Sequence, residues 1–523
     1  MLSAVLLVLA ALVLYRVYRT LRLYYNLRDF GGHWAAGWTR LWLLRVNSSG
    51  KMNEHFREIN EKYGATARIA PHMLITTDPE LYKRMNAVRS TYTRAEWYYA
   101  LRLHPTRDNI TSVIDEDVHT SIRSRMAPGY SGKENTSIEA DIDSKVHALF
   151  ALLDKSYISG PKAYHPVDLS RVITFFTLDV ISQVAFGHEF GFMARDEDPF
   201  GYLANLKEFL PAILIFGAYV ELTKILRLPY MKSLMPKSTD KRGLGKVMGF
   251  AAERVGERFG EKAIVRQDML GSFIKRGLTQ EELESETLTQ ITAGSDSTAS
   301  ALRMTLHYVC TTPEVQARLL AEVRSAIRQG LASRPIIKDA EARRLPYLQA
   351  CVKEGLRMYP PVTGLLAKQV PPEGATIDGK FAPGGTWIGQ NSWGMQRRTD
   401  IYGVDVDIFR PERWLLQDNS EEEAARVAKM TETVGLVFGY GRFGCLGRGV
   451  ATMELNKGLI ELLLRYNFQP VNIAHPFDEL CVGFFVHENM WFRVTPREDH
   501  GDSADLPELQ FGEASALPGA PDE

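Results

Sequence analysis

Apolar positions in this chain follow three regimes. From Met1 to Tyr15 they are continuous, "MLSAVLLVLAALVLY", and the first charge is Arg16. Between Asp141 and Met358 they recur every three to four residues over long runs, the period of amphipathic helices. Near both ends of that body the pattern shortens to weak alternation, and "ATARIAPHMLITTD" (65–78) and "GFFVHENMWFRVTP" (483–496) each predict a hairpin. After Arg497 periodicity stops in an acidic, Pro- and Gly-containing stretch, which predicts a disordered tail over 498–523. No repeat and no linker divides the middle. The pattern therefore predicts one large domain over 23–497, mainly α with a small β portion, preceded by an apolar segment over 1–22.

That first segment is shorter than the ~20 residues that cross a bilayer comfortably. It also lacks a basic n-region and a small-residue cleavage site, so a retained signal anchor is the expectation rather than a removed leader. Arg16, Arg19, Arg22 and Arg28 lie on its C-terminal side and would hold that side in the cytosol. Tyr15, Tyr18, Tyr24 and Tyr25 suit an interfacial belt.

Composition changes the picture little: 45% hydrophobic and 24% charged residues are ordinary for a globular core. A formal net charge of -1 gives no electrostatic reason to expect nucleic acid as a partner. The four cysteines form no metal-site spacing. Cys310, Cys351 and Cys481 lie in apolar segments and read as core residues. Cys445 differs, because "FGYGRFGCLGRG" surrounds it with glycines 439, 441, 444, 447 and 449 and a helical pattern follows. Backbone N–H groups and a helix N-terminus there favour a thiolate, which could serve a nucleophile, a metal or a haem iron.

Two helices carry further polar signals. One opens after "LTQEE" with Thr279 and Glu282 at capping-box spacing. Its apolar stripe, Leu288, Ile291, Leu302, Leu306 and Val309, lapses at "AGSDST" (293–298) into glycine, a carboxylate and hydroxyls. The expectation is a helix that opens locally there to admit a ligand. The other, "LPYLQACVKEGLRMYPP", stops at Pro360 and Pro361. Glu354 and Arg357 share one of its faces, opposite Leu348 and Val352, and "FRPERW" offers Arg413 as a second guanidinium for the same carboxylate.

Taken in order, "AGSDST", "EGLR", "PERW" and "FGYGRFGCLG" resemble the haem-thiolate monooxygenases of the cytochrome P450 superfamily, in particular its membrane-anchored, fungal-type members. The resemblance covers the chain from the anchor to about Arg497. It implies the P450 fold, haem b as cofactor and Cys445 as proximal ligand of the haem iron, with Phe438 packed near the sulfur. It implies that Glu354, Arg357 and Arg413 form a structural triad under the haem, and that Asp296 and Ser297 are the acid and alcohol that relay protons. His119 and Arg123, in "VHTSIRSRM", and Lys368, in "LLAKQV", fall where haem carboxylates are held.

Two departures stand out. Phe443 occupies the position where the family carries Arg or His, with Arg442 shifted by one; and Ser297, not Thr298, stands at the alcohol position, Thr298 being turned by about 100°. The implied activity is insertion of one oxygen atom of O2 into a hydrophobic small molecule, with electrons from an NADPH-dependent reductase on the endoplasmic reticulum membrane, in fungal secondary metabolism. The alternatives are an oxygen-independent isomerase or dehydratase of similar fold and a non-catalytic haem protein. Family position places the substrate pocket around Trp97 to Leu101, "FLPAILIF" (209–216), Thr292 and Ala293, "VTGLL" (362–366), Phe484 and Phe485.

Overall fold

The computed structural model describes residues 2–204, 215–226, 228, 230, 235–241 and 243–497. The expected tail over 498–523 and most of the apolar stretch over 209–216 lie outside the described residues.

The first helix, α1, runs over Leu2–Asn26, past residue 22. It is long and apolar enough to cross a membrane, and none of its apolar window is buried by the rest of the protein. Its last turn is held by Arg68, whose buried guanidinium donates to the carbonyls of Leu23 at 2.8 Å and Tyr24 at 3.1 Å. A cation there meets the unpaired carbonyls of a helix C-terminus.

Five further helices position the site: α2 (Glu116–Tyr130), α3 (Leu169–Phe186), α4 (Gln280–Thr311), α5 (Pro346–Met358) and α6 (Arg448–Arg465). α4 lies at the centre, packed against α3, α5 and α6. Its start carries the expected capping box between Thr279 and Glu282. α3 is apolar almost all round and would pass for a membrane span by composition, but 89% of it is buried and it serves as a core helix.

α4 does not open at 293–298. It is continuous, and its hydroxyls fold back on the preceding turn: Ser295 Oγ donates to Ile291 O and Ser297 Oγ to Ala293 O, both at 2.7 Å. The lapse in the apolar stripe has a packing cause instead. A Cβ at Gly294 would stand 2.8 Å from Ile181 of α3, so glycine lets the two helices approach.

The strands form small sheets at the periphery. Thr66–Ala70 and Met73–Thr76 pair antiparallel, as the first alternating stretch predicts, and begin a five-stranded sheet that continues through Trp387–Gln390, Lys368–Gln369 and Thr93–Arg94. The second alternating stretch does not make a hairpin. Phe485–Glu488 pairs with Asp478–Cys481, while Trp491–Pro496 pairs with Tyr466–Pro470 and Val167–Asp168. Between them Asn489 adopts a left-handed φ of 55°, and the Met490 N–H donates to Asp168, so the chain passes from one sheet to another.

Candidate active site

The cysteine loop is built by its glycines. Gly439 (φ 78°) and Gly441 (φ 56°) hold left-handed backbone, and a Cβ at Gly441 would stand 2.3 Å from the carbonyl of Asn86. The loop closes on itself through Cys445 N–H, which donates to Phe438 O at 2.6 Å. Phe438 is half-buried beneath the Arg448 guanidinium, which lies 5.4 Å from its ring centre. α6 starts at Arg448, and the backbone N–H groups of Gly447 and Arg448 donate toward the sulfur. The Cys445 side chain is accessible on the side the loop leaves open. Crowding by the loop raises its thiol pKa, and this effect outweighs the opposing pull of those N–H groups and of Arg123 and Arg448.

Glu354 and Arg357 share a face as their spacing predicts, Arg413 joins them from 411–414, and all three side chains are wholly buried. Glu354 accepts from Arg357 Nε and Nη2 (2.8 Å each), Arg413 Nε (2.9 Å), the Arg410 N–H (2.9 Å) and Trp414 Nε1 (2.9 Å). The two guanidiniums also bind the carbonyls of Gln396, Val406 and Ile408, and of Tyr402, Asp405 and Ile408 respectively, pinning the segment 396–408 to α5.

Cations gather on the other side of the loop. His119 is buried, and its Nε2 lies 3.0 Å from Arg94 Nη2. Arginine can only donate, so Nε2 accepts and the ring's proton sits on Nδ1, which has no hydrogen-bond partner among the described residues. Burial, reinforced by the surrounding cations, holds His119 down at about 3 and therefore neutral. Arg123 reaches the loop, 4.0 Å from where a Cβ at Gly444 would be. Lys368 is wholly buried; among the described residues its Nζ has no hydrogen-bond partner, and Glu116 stands 4.0 Å away. Burial pulls this lysine down to about 6, opposed by Glu116 and abetted by Arg94 and Arg442. Arg94 Nε and Arg442 Nε also lack hydrogen-bond partners among the described residues.

On α4, Ser297 is half-exposed and Thr298 buried. Asp296 accepts from Tyr202 OH at 2.8 Å, and that hydroxyl lies 3.1 Å from Ser295 Oγ. Burial pushes the Asp296 carboxyl up to about 6 against the pull of the Tyr202 hydrogen bond and Arg303. Asp296 borders a polar cavity of about 220 Å³ lined also by Asp168, Arg171, Arg303, His487 and Asn489. Beside it on the same helix Thr292 is half-exposed and Ala293 exposed, although most of α4 is buried.

The family model for cytochrome P450 matches residues 33–489. The chain is a cytochrome P450. It is similar to cytochrome P450 monooxygenase ABA1 of Pyricularia oryzae, 40% identical over 482 residues, covering 91% of this chain and 93% of that one. Cytochrome P450 monooxygenase aba1 of Botryotinia fuckeliana is 39% identical over 466 residues, 88% and 90% of the two chains. Cytochrome P450 monooxygenase abl1 of Leptosphaeria maculans is 36% identical over 424 residues, 80% and 74%.

The residues of this P450 fit a haem. A thiol stands open beside two inward backbone donors, and the unpartnered buried atoms Lys368 Nζ, His119 Nδ1, Arg94 Nε and Arg442 Nε await acceptors of the kind haem carboxylates supply. Of the expected pocket residues, Trp97, Tyr98, Thr363, Leu365 and Phe485 are buried, and Val362 bridges to Phe484. Motif reading missed Arg94, Glu116 and Tyr202. Glu116 had one available signal, since it precedes His119 by three and shares its helical face. Arg94 reaches the site from a sheet and Tyr202 from a helical turn far away in sequence, so no local pattern ties them to the motifs.

Proposed function

We propose that this P450 monooxygenase inserts one atom of O2 into a hydrophobic small molecule of fungal secondary metabolism and reduces the other to water, taking two electrons from an NADPH-dependent reductase. What supports the reading most directly is Cys445: an accessible sulfur held between two backbone donors, in a chain that also assembles the wholly buried Glu354, Arg357 and Arg413 cluster. Haem b, bound there through Cys445, would supply oxygen activation, which a thiolate ligand favours. Arg123, His119 and Lys368 would hold its carboxylates, with Phe438 packed beneath the sulfur.

The chain's own residues then manage protons. Asp296, with a carboxyl near neutrality and a polar cavity beside it, takes protons from solvent and passes them to the Ser297 hydroxyl. The same acid argues against an oxygen-independent isomerase, which has no need to deliver protons to oxygen. The apolar stretch around Trp97, Thr292 and Phe485 excludes water and suits an apolar substrate. α1 anchors the domain on the cytosolic face of the endoplasmic reticulum membrane, beside its reductase.

The reduced, CO-bound spectrum tests the ligand. Cys445→Ala loses the thiolate-type Soret band, and a variant that keeps it overturns the assignment. Turnover with reductase, NADPH and a panel of apolar compounds tests the rest: substrate-dependent O2 consumption is expected, and product formed without O2 establishes the isomerase instead.

A further inference from the structure

We propose that Phe443 is a positioning residue for the haem, its ring seating Lys368 and Arg94 so that these two, and not a cation at position 443, hold a haem carboxylate. The proposal rests on the reading that Cys445 binds a haem.

The sheet sets the problem. Lys368 and Arg94 are direct antiparallel cross-strand partners, so both side chains leave the sheet on one face. Both are buried, and like charges placed opposite one another repel. Glu116 answers only in part: its Oε1 already accepts from the Arg94 backbone N–H at 2.7 Å and lies 4.0 Å from Lys368. Arg94 has further help from the Tyr98 ring, 4.6 Å from its Cζ, and from the carbonyls of Ile110 and Val113, which accept from its Nη1 at 2.8 and 2.7 Å; Phe443 serves both cations. Lys368 Nζ lies 3.0 Å from the centre of its ring, Arg94 Cζ 5.1 Å and Arg442 Cζ 5.0 Å, while the His119 ring stacks on it at 5.2 Å. An aromatic face carries partial negative charge and attracts buried cations without adding charge of its own.

Arginine at 443 would do the reverse. It would set a fifth cation among Arg94, Arg123, Lys368 and Arg442, whose nearby carboxylate is Glu116. The ring at 443 and the cations around it therefore form one arrangement: the sheet supplies the charge, and the ring holds it there.

The test uses the holoenzyme and two readouts, the rate of haem transfer to excess apomyoglobin and the reduction potential. Phe443→Leu should speed haem loss about tenfold and move the potential in the same direction as Lys368→Gln. The double variant should lose haem more slowly than the product of the two single effects predicts, because the ring acts in part through the lysine. Phe443→Trp should keep both values. Phe443→Arg should lose haem faster than the unaltered enzyme.

Slower haem loss in Phe443→Arg, or multiplying effects in the double variant, overturns the proposal. Faster loss with an unmoved potential in Phe443→Leu also overturns it, since that is the signature of packing alone. If Phe443→Leu does not accumulate as holoenzyme, Lys368→Gln decides, and unchanged loss and potential there refute it. An unaltered chain without a thiolate-type Soret band would instead sink the haem reading itself.

Discussion

Glu354 offers the most quantitative test of how the site is held. Its carboxylate accepts five hydrogen bonds and is wholly buried. Replacing it by alanine does not strand its two cations equally. Arg413 retains the Asp405 carboxylate at 3.0 Å, whereas Arg357 keeps backbone carbonyls, the Met358 sulfur and the Tyr402 ring and becomes a buried cation without an anion in hydrogen-bond reach. Removing one partner of a buried pair costs about 3–5 kcal/mol. Against a typical total of about 5–15 kcal/mol this is a large fraction.

Glu354→Gln should cost nearly as much as Glu354→Ala, because one of its two polar atoms becomes a donor facing Arg357 or Arg413. Asp405→Asn should cost only about 1 kcal/mol, since Asp405 is partly exposed, at 23%, and screened. Guanidinium unfolding of the holoenzyme, followed by far-UV circular dichroism and the Soret band together, measures all three. A Glu354→Gln variant within about 1 kcal/mol of the unaltered protein would refute the claim that the carboxylate's charge matters, leaving shape as the reason for the cluster.

Three further outcomes are expected. Deleting residues 2–21 should leave the domain's stability unchanged, while deleting 2–26 removes two acceptors of Arg68 and should cost about 2–3 kcal/mol by chemical denaturation. The Asp296 carboxyl is raised in the folded protein to about 6 from 3.8, so its favourable contribution is complete below pH 4 and disappears as pH rises through 6. Asp296→Asn should thus gain stability relative to the unaltered enzyme between pH 5 and pH 8 in thermal melts, and an advantage that shrinks over that interval contradicts the shift. Gly355→Ala would put a Cβ 1.9 Å from Thr305 Oγ1 and should destabilise by about 1–3 kcal/mol, with Thr305→Ala recovering part of the loss in a double-mutant cycle.

Much of this site could be read in the chain because its parts obey local rules. Glu354 and Arg357 are one helical turn apart, Cys445 is flanked by glycines that only tight turns require, and the capping box at Thr279 is a four-residue signal. What escaped depends on contacts distant in sequence. The polar lapse at 293–298 suggests an opened helix until Ile181 is seen against Gly294, a contact no periodicity encodes. The stretch 483–496 has the alternation of a hairpin, yet its strands find better partners elsewhere because Asn489 turns the chain away. Arg94 was invisible for a similar reason: its place beside Lys368 is a matter of sheet register.

α4 also acts as a ruler. Asp296 and Ser297 sit at one level, and nine residues on from Asp296, about 13.5 Å along the axis, Thr305 nests against Gly355, the neighbour of Glu354. Between these levels Leu302 meets Gly458 of α6, the helix that begins just after Cys445. The acid, the triad and the cysteine helix are thus gauged from one rigid rod by two glycine seats. The segments 97–101 and 362–366 lie outside α4 and its glycine seats. Exchanging them with those of a relative should therefore alter which molecule is oxidised while leaving untouched how oxygen is handled, so specificity and reactivity can drift independently in this architecture.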